Sequence, residues 1–92
     1  MDVPITRREA LFYDYVTENV VERRAPHRPA HIALVREWMA DGRLLMGGAL
    51  GDPPHGGLLV FESGAANSAA LDPYVASGIV TAWRVEPWSV VL

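Results

Sequence analysis

Two segments of the chain carry a helix start signal and a helix stop signal, and apolar runs flank both of them. In the first segment, Pro29 suits the opening turn of a helix and Gly42 suits the position just past its end. In the second, Asp72 is a favourable N-cap, Pro73 follows it, and Gly78 ends the segment. These signals predict one helix in each half of the chain.

The apolar runs between these segments predict four strands, because they are rich in β-branched and aromatic residues. We expect strands over 11–21, 44–50, 57–62 and 79–92, and helices over 29–41, over 63–71 and directly after Asp72. The order β–α–β–β–α–β is typical of the ferredoxin-like α+β fold, in which a four-stranded antiparallel sheet carries both helical segments on one face. Residues 1–10 are polar, and we expect them to form a short, loosely ordered leader before a single domain over 11–92.

The first strand and the first helix each present a distinct apolar side. On the strand, alternation places Leu11, Tyr13 and Tyr15 on one face and Phe12, Asp14 and Val16 on the other. On the helix, the spacing i, i+3, i+4, i+7 predicts an inward stripe made of His31, Leu34, Val35 and Trp38. A histidine therefore begins the stripe that packs against the sheet.

The composition points to a protein that associates with itself. Half of the 92 residues are apolar, which is more than one small two-layer core needs. We expect the second face of the sheet to be covered by another copy, which gives a homodimeric α/β barrel. The net charge is −3, and the sequence has no basic stripe of the kind that binds nucleic acid. No apolar run reaches the length of a membrane span or a signal peptide. A cytoplasmic location is the expectation.

Two missing residue types restrict the chemistry. The chain has no Cys, and all eight basic residues are Arg, so it lacks Lys as well. Thiol nucleophiles, thiolate metal sites, Schiff bases and phosphate-loop lysines are therefore excluded. Any catalysis must come from His, Asp, Glu, Arg, Tyr, Ser or Thr, and no cofactor is expected.

His27 and His31 have the i, i+4 spacing of a metal-binding pair, but we expect no metal site. His27 precedes the helix that begins at Pro29, so the two rings need not share a face. No Cys and no carboxylate at ligand spacing completes a set of three protein ligands.

His31 and Asp72 each lie at the start of a helix that follows a strand, and in this topology both helices cover the same sheet face. If the side chains meet, Asp72 accepts the proton of one ring nitrogen and leaves the other ready for proton transfer. The alternative is structural, since an inward His is commonly a satisfied core residue and an Asp before Pro is commonly a cap.

Three further side chains are candidates for ligand binding. Arg28 lies beside His31 and can hold an anionic group, or it can simply be solvated. For Arg24 we expect a solvated side chain that pairs with Glu22 or Glu18. Tyr74 follows the Asp-Pro pair and either packs in the core or donates a hydrogen bond to a substrate.

Several of these segments resemble motifs of the YciI-like (YCII-related) family. The matching pieces are R-x-x-x-R-P-A-H at 24–31, D-G-R-L-L at 41–45, G-G-A-L at 47–50, D-P-Y-V-A-S-G at 72–78 and V-E-P-W at 85–88. The resemblance implies a dimeric α/β barrel with a site built on His31 and Asp72. It further implies similarity to cofactor-independent lyases or dehydrohalogenases that act on small ring compounds.

We therefore expect a cofactor-free acid/base enzyme for a small cyclic or anionic molecule, with His31 as acid/base, Asp72 as its partner, and Arg28 and Tyr74 as substrate-binding groups. The alternative is a non-catalytic dimeric barrel that binds a small molecule or serves as an accessory domain. A cofactor-free monooxygenase of the same barrel class is a third hypothesis, for which the residues give no distinctive signal.

Overall fold

The computed structural model describes residues 3–91 and resolves them into one sheet with helices on one side. The strands are β1 (Thr6–Tyr15), β2 (Leu44–Leu50), β3 (Gly56–Phe61) and β4 (Val80–Val90). The helices are α1 (Val20–Arg24), α2 (Arg28–Ala40), α3 (Ala65–Leu71) and α4 (Pro73–Ala76), and a 3₁₀ turn at Ala25–His27 joins α1 to α2.

The sheet has the strand order β2-β3-β1-β4, and every neighbouring pair is antiparallel. This is the order of the split β-α-β unit that the element sequence predicts, so the ferredoxin-like α+β fold is confirmed. In the register of the two central strands, Tyr13 lies opposite Gly57, and on its other side it pairs with Trp83. β1 is therefore a central strand with partners along both edges.

The expected boundaries of the first strand are wrong at both ends. Thr6–Ala10, expected in the leader, form the first half of β1 and pair with β4. At the other end the strand stops at Tyr15. Asn19 then adopts a left-handed conformation with φ 52°, and α1 begins at Val20. Asn tolerates this conformation better than most residues, and its carbonyl accepts the first hydrogen bond of the helix from Arg23 at 2.9 Å.

The remaining boundaries lie close to the expected ones. β2 spans its predicted residues, and α2 begins one residue before Pro29. Gly42 and Gly78 both have φ 81°, a conformation that favours glycine and ends the preceding helix. α3 begins at Ala65, two residues later than expected, and the Glu9 carboxylate accepts a hydrogen bond from its first N–H at 2.9 Å.

The core lies between the sheet and the helices. Leu11, Tyr13 and Tyr15 of β1 are buried on this side, as the strand alternation predicts. From α2, His31 and Trp38 are buried, and the Trp38 ring packs edge-on against Phe61 with ring centroids 5.5 Å apart. Leu34 and Val35 complete the helical stripe and are half-buried.

The other side of the sheet has no helix in the described residues. We call it the open sheet face; among its residues are Phe12, Met46, Leu58, Val60 and Trp88, as the strand register places them. Met46 is 62% exposed and Trp88 is 44% exposed. Of the helices within residues 3–91, none is both long enough and apolar enough to cross a bilayer.

Candidate functional site

Asp72 is the most deeply buried charged side chain of the site. It lies at the junction of α3 and α4, where Pro73 begins the second helix, and its exposed fraction is 0%. Its Oδ1 atom accepts a hydrogen bond from the backbone N–H of Tyr74 at 2.9 Å, which caps α4. The cap fixes the carboxylate in one orientation. Asp72 thus has the predicted cap role, and it has further hydrogen-bond partners as well.

The imidazole of His31 meets this carboxylate from the first turn of α2. Its Nδ1 atom lies 2.8 Å from Oδ1 and 3.1 Å from Oδ2 of Asp72. An ionised carboxylate can only accept hydrogen bonds, so Nδ1 carries the proton and donates it. In the neutral ring, Nε2 is then the nitrogen with a free lone pair, as a general base requires.

A phenol on the central strand also binds this carboxylate. Tyr13 donates its hydroxyl proton to Oδ2 of Asp72 at 2.8 Å, and both side chains are inaccessible to solvent. Burial, together with the charge and hydrogen bond of Asp72, raises the pKa of the Tyr13 phenol, so the hydroxyl stays a donor. Three donors from three different elements thus converge on Asp72.

Tyr74 contributes its ring and its hydroxyl to the site in different ways. The ring stacks on His31 with centroids 3.8 Å apart and planes within 5°. The hydroxyl oxygen is buried and has no hydrogen-bond partner in the described part of the chain. A buried phenol usually finds a partner, so the Tyr74 hydroxyl is an exception among the described residues.

His31 and Tyr74 line a cavity of about 270 Å³ between the start of α2 and the sheet. An apolar cavity of about 150 Å³ is sufficient for benzene, so this one has room for a substituted single ring. The other residues that line it come from β1, α1, α2, β2 and β3, and they are Tyr15, Arg24, Arg28, Ile32, Val35, Gly47, Gly48, Ala49 and Leu59.

Two arginines give the cavity a positive wall. Arg24 and Arg28 lie one helical turn apart along the chain and both line the cavity. Within residues 3–91 neither takes part in an ion pair, whereas Arg43 and Arg84 pair with Asp41 and Glu86. The expected pairing of Arg24 with Glu22 or Glu18 is therefore not formed.

Tyr15 is the second phenol that borders the cavity. Its hydroxyl lies close to Gly57, where a Cβ atom would approach it to 3.0 Å, so the glycine leaves the space that the hydroxyl occupies. Burial raises the pKa of Tyr15 and the Tyr74 phenol adds to the rise, while Arg24 and Arg28 oppose it. The balance keeps the Tyr15 hydroxyl protonated and able to donate.

The structure brings together all four residues that the sequence singles out. His31 and Asp72 are in direct contact, Tyr74 stacks on the imidazole, and Arg28 lines the same cavity. The structure adds Arg24, which the sequence analysis expects to be solvated, and two tyrosines, Tyr13 and Tyr15, which it assigns only to a face of the strand. The signal that could have revealed the two tyrosines is the choice of Tyr instead of Phe at buried strand positions, because a buried hydroxyl needs a partner.

His27, the other histidine of the i, i+4 pair, lies outside the cavity that His31 lines. His27 lies in the 3₁₀ turn before α2. Across residues 3–91, no three His, Asp or Glu side chains are grouped closely enough to bind a metal ion.

Comparison with known proteins identifies a related fold with a described ligand complex. The structure is similar to that of 5-chloro-2-hydroxyhydroquinone dehydrochlorinase (TftG) from Burkholderia phenoliruptrix AC1100, solved with 2,5-dihydroxybenzoquinone. The TM-score is 0.73 at 19% sequence identity, and the alignment covers 88% of this chain and 92% of that one. A comparison with curated protein sequences gives no match.

At the level of sequence, the model of the YCII-related domain matches residues 9–89, which is most of the chain. The match includes every residue of the cavity and of the hydrogen-bond network around Asp72. The protein thus belongs to the family of YCII-related domains.

Proposed function

We propose that this protein is a cofactor-independent acid/base enzyme that moves a proton on a small, anionic ring compound. The observation that carries the proposal is the hydrogen bond between His31 and the buried carboxylate of Asp72 at the wall of a cavity. This pair is expected to supply a base whose proton-accepting nitrogen is fixed before a substrate binds.

The size and lining of the cavity favour a planar molecule. Ile32, Val35 and Leu59 provide apolar contacts, and Gly47 and Gly48 add little side-chain bulk along β2. The cavity volume of about 270 Å³ is at the small end for ligand sites in proteins. A single ring with a few oxygen substituents fits these dimensions.

The charge of the wall favours an anion. The guanidinium groups of Arg24 and Arg28 can each donate to an ionised oxygen, and the protonated phenol of Tyr15 adds a third donor nearby. Tyr74 also lines the cavity, and its hydroxyl has no partner in the described residues. Hydroxyquinones and other vinylogous acids combine a flat ring with delocalised negative charge, and they suit this set of donors.

In the proposed reaction, Nε2 of His31 removes a proton from a ring carbon next to a carbonyl group. The negative charge moves onto the carbonyl oxygen, where the arginines and tyrosines stabilise it. Return of the proton to another carbon gives an isomerisation. If the neighbouring carbon bears chlorine, the electron pair forms a C=C bond and chloride leaves, so that the overall change is loss of HCl.

Because the fold is similar to that of a dehydrochlorinase, the loss of HCl should be tested first. Purified protein should be incubated without oxygen with 5-chloro-2-hydroxyhydroquinone, and the chloride released should be measured. In a second experiment, NMR in D₂O should measure how fast the ring protons of a set of hydroxyquinones and cyclic enols exchange for deuterium. We expect acceleration in at least one assay and its loss in the His31→Gln variant.

The outcomes separate the proposal from its alternative, a non-catalytic domain that binds a small molecule. Turnover that survives His31→Gln undiminished would contradict the role of His31. Tight binding of 2,5-dihydroxybenzoquinone without acceleration of either reaction would favour the non-catalytic function. His55→Gln is the matched control, because His55 is an exposed histidine outside the cavity and its loss should change neither readout.

The proposal includes a homodimer in which two copies bring their open sheet faces together. The apolar residues of this face support it, since Met46 and Trp88 are large, exposed and adjacent to further apolar side chains. A face-to-face pair of sheets would bury these side chains and close an α/β barrel. The cytoplasmic location expected from the sequence stays a prediction.

The oligomeric state can be tested by sedimentation of the wild type and of two charge variants. Met46→Glu places a charge on the open sheet face and should shift the protein to the mass of one chain. Met39→Glu is the control, because Met39 is 51% exposed on the outer side of α2. A wild-type protein that sediments as one chain at all concentrations would contradict the dimer.

A further inference from the structure

We propose that Tyr13 is a positioning residue that favours the neutral His31 imidazole, the form that can act as a base, through its hydrogen bond to the carboxylate of Asp72. The inference rests on the proposed function in so far as His31 acts as the base. Tyr13 does not line the cavity and does not touch a substrate placed there. Its effect passes through the carboxylate.

The geometry leaves Tyr13 one partner and leaves Asp72 fully occupied. The Tyr13 hydroxyl donates to Oδ2 at 2.8 Å, and the backbone N–H of Tyr74 donates to Oδ1 at 2.9 Å. The Nδ1 proton of His31 is directed between the two oxygens. The carboxylate of Asp72 therefore accepts hydrogen bonds from three donors.

The register of the central strands holds the hydroxyl in this place. Tyr13 pairs with Gly57 on β3 and with Trp83 on β4, so its backbone is fixed from both sides. Its side chain is 1% exposed in the core. A tyrosine used only to fill this volume could be a phenylalanine, which would leave Oδ2 with one donor fewer.

The direction of the effect follows from which state of His31 the hydrogen bond stabilises more. When the imidazole is neutral, the full charge of Asp72 is available to the Tyr13 hydroxyl, and the bond is strong. When the imidazole is protonated, its positive charge already neutralises the carboxylate, and the same bond is weaker. The Tyr13 hydrogen bond therefore favours neutral His31 and opposes its protonation.

Other charged and titratable groups also face His31, but the Tyr13→Phe change leaves them in place. From α4, the Tyr74 ring stacks on the imidazole, and from β1, Tyr15 borders the same cavity. From α1 and α2, the positively charged Arg24 and Arg28 also line it. Within the described residues, Tyr13 differs from these four groups because its side chain is hydrogen-bonded to Asp72.

The test is an NMR titration of the three histidine rings in the full chain, with and without the Tyr13→Phe substitution. We expect the midpoint of the His31 titration to rise by about half a pH unit to one unit in the variant. His27 and His55 serve as internal controls, because neither is hydrogen-bonded to Asp72, and their midpoints should not move. The measurement needs no substrate, so it stands even if no turnover is found.

A His31 midpoint that stays fixed or falls in folded Tyr13→Phe would overturn the proposal, whatever happens to stability. A purely structural role would lower the melting temperature and leave the His31 midpoint where it is. If the variant does not fold, the hydroxyl proton of Tyr13 can be observed in the wild type. It should exchange slowly and resonate downfield as a donor to a carboxylate, and a rapidly exchanging proton would contradict the inference.

Discussion

The ring of Tyr74 lies flat against the imidazole of His31, with the two planes 5° apart and the centroids separated by 3.8 Å. The same tyrosine donates its backbone N–H to Asp72, which in turn accepts from Nδ1 of His31. The imidazole is thus held at its edge by Asp72, the N-cap of α4, and at its face by Tyr74 of the same helix. This arrangement fixes the plane in which the free lone pair of Nε2 points.

Tyr74→Phe should weaken ligand binding without lowering the stability of the fold. The substitution keeps the stacked ring but removes a hydroxyl whose oxygen is buried without a partner in the described residues. We expect the free energy of unfolding to stay the same or to rise by up to about 1 kcal/mol, since an unsatisfied polar group is lost. Affinity for 2,5-dihydroxybenzoquinone should fall about fivefold to tenfold, measured by calorimetry. A marked loss of stability in urea unfolding would contradict the assignment of this hydroxyl to the ligand.

Arg24→Ala and Arg28→Ala should each weaken the binding of an anionic ring by about tenfold, because each removes a charged donor from the cavity wall. The loss should shrink as salt is raised, since the arginines act partly through their charge. Arg36→Ala is the matched control, as Arg36 is an exposed arginine on the same helix α2 that does not line the cavity. Equal effects at all three positions would point to a general influence of net charge.

Asp72→Asn should destabilise the fold by about 2–4 kcal/mol, because one amide cannot accept from three donors as a carboxylate does. The amide nitrogen must also face a donor, whichever way the side chain is turned. Urea unfolding of the variant measures the loss, and Asp52→Asn in the exposed turn after β2 provides the control. A variant as stable as the wild type would mean that the network contributes nothing to folding.

The stability of the protein should fall at alkaline pH, above the ordinary tyrosine pKa of 10.0. Burial raises the pKa of Tyr13 and Tyr15 in the folded state, so the stabilising contribution of the neutral phenols is complete below pH 10. Above it, the unfolded chain loses phenol protons that the folded chain retains, at a cost of ~1.4 kcal/mol per pH unit for each such group. The contribution is lost as the pH rises toward the folded-state values.

This pH effect is unusually easy to assign in this chain. The sequence has neither Lys nor Cys, so its three tyrosines are the side chains that titrate between about pH 9 and pH 11. Melting temperatures measured from pH 8 to pH 11 should decline less steeply for Tyr13→Phe than for the wild type. Parallel curves for the two proteins would show that Tyr13 ionises as readily in the folded state as in the unfolded one.

The parts of the fold that could be predicted are those that depend on local signals. Pro29 and Gly42 bracket α2 to within one residue, and Gly78 ends α4 as expected, because their effects on backbone conformation need no tertiary context. The first half of β1 could not be recognised in this way. Thr6–Ala10 are mainly polar, and their strand conformation comes from pairing with β4. Only the last two of these residues, Glu9 and Ala10, also pair with β3.

The main residues of the site could be predicted from the sequence, but the hydrogen bonds between them could not. The helix stripe and the N-cap signal single out His31 and Asp72, and the topology places them on one side of the sheet. That their atoms lie 2.8 Å apart depends on how α2 and α4 pack, which residue spacing does not encode. Tyr13 and Tyr15 were placed on the correct face, but the partners of their hydroxyls follow only from the packed coordinates.

The central strand β1 carries three of the described side-chain roles on one face, whose residues are Glu9, Leu11, Tyr13 and Tyr15. Glu9 caps α3, Tyr13 binds Asp72, and Tyr15 borders the cavity. A shift of the strand by a single residue would deliver Phe12 and Asp14 to the positions of the two phenols. Such a misaligned chain would lack both the phenol that is hydrogen-bonded to Asp72 and the phenol at the cavity wall, so these two features depend directly on correct strand alignment.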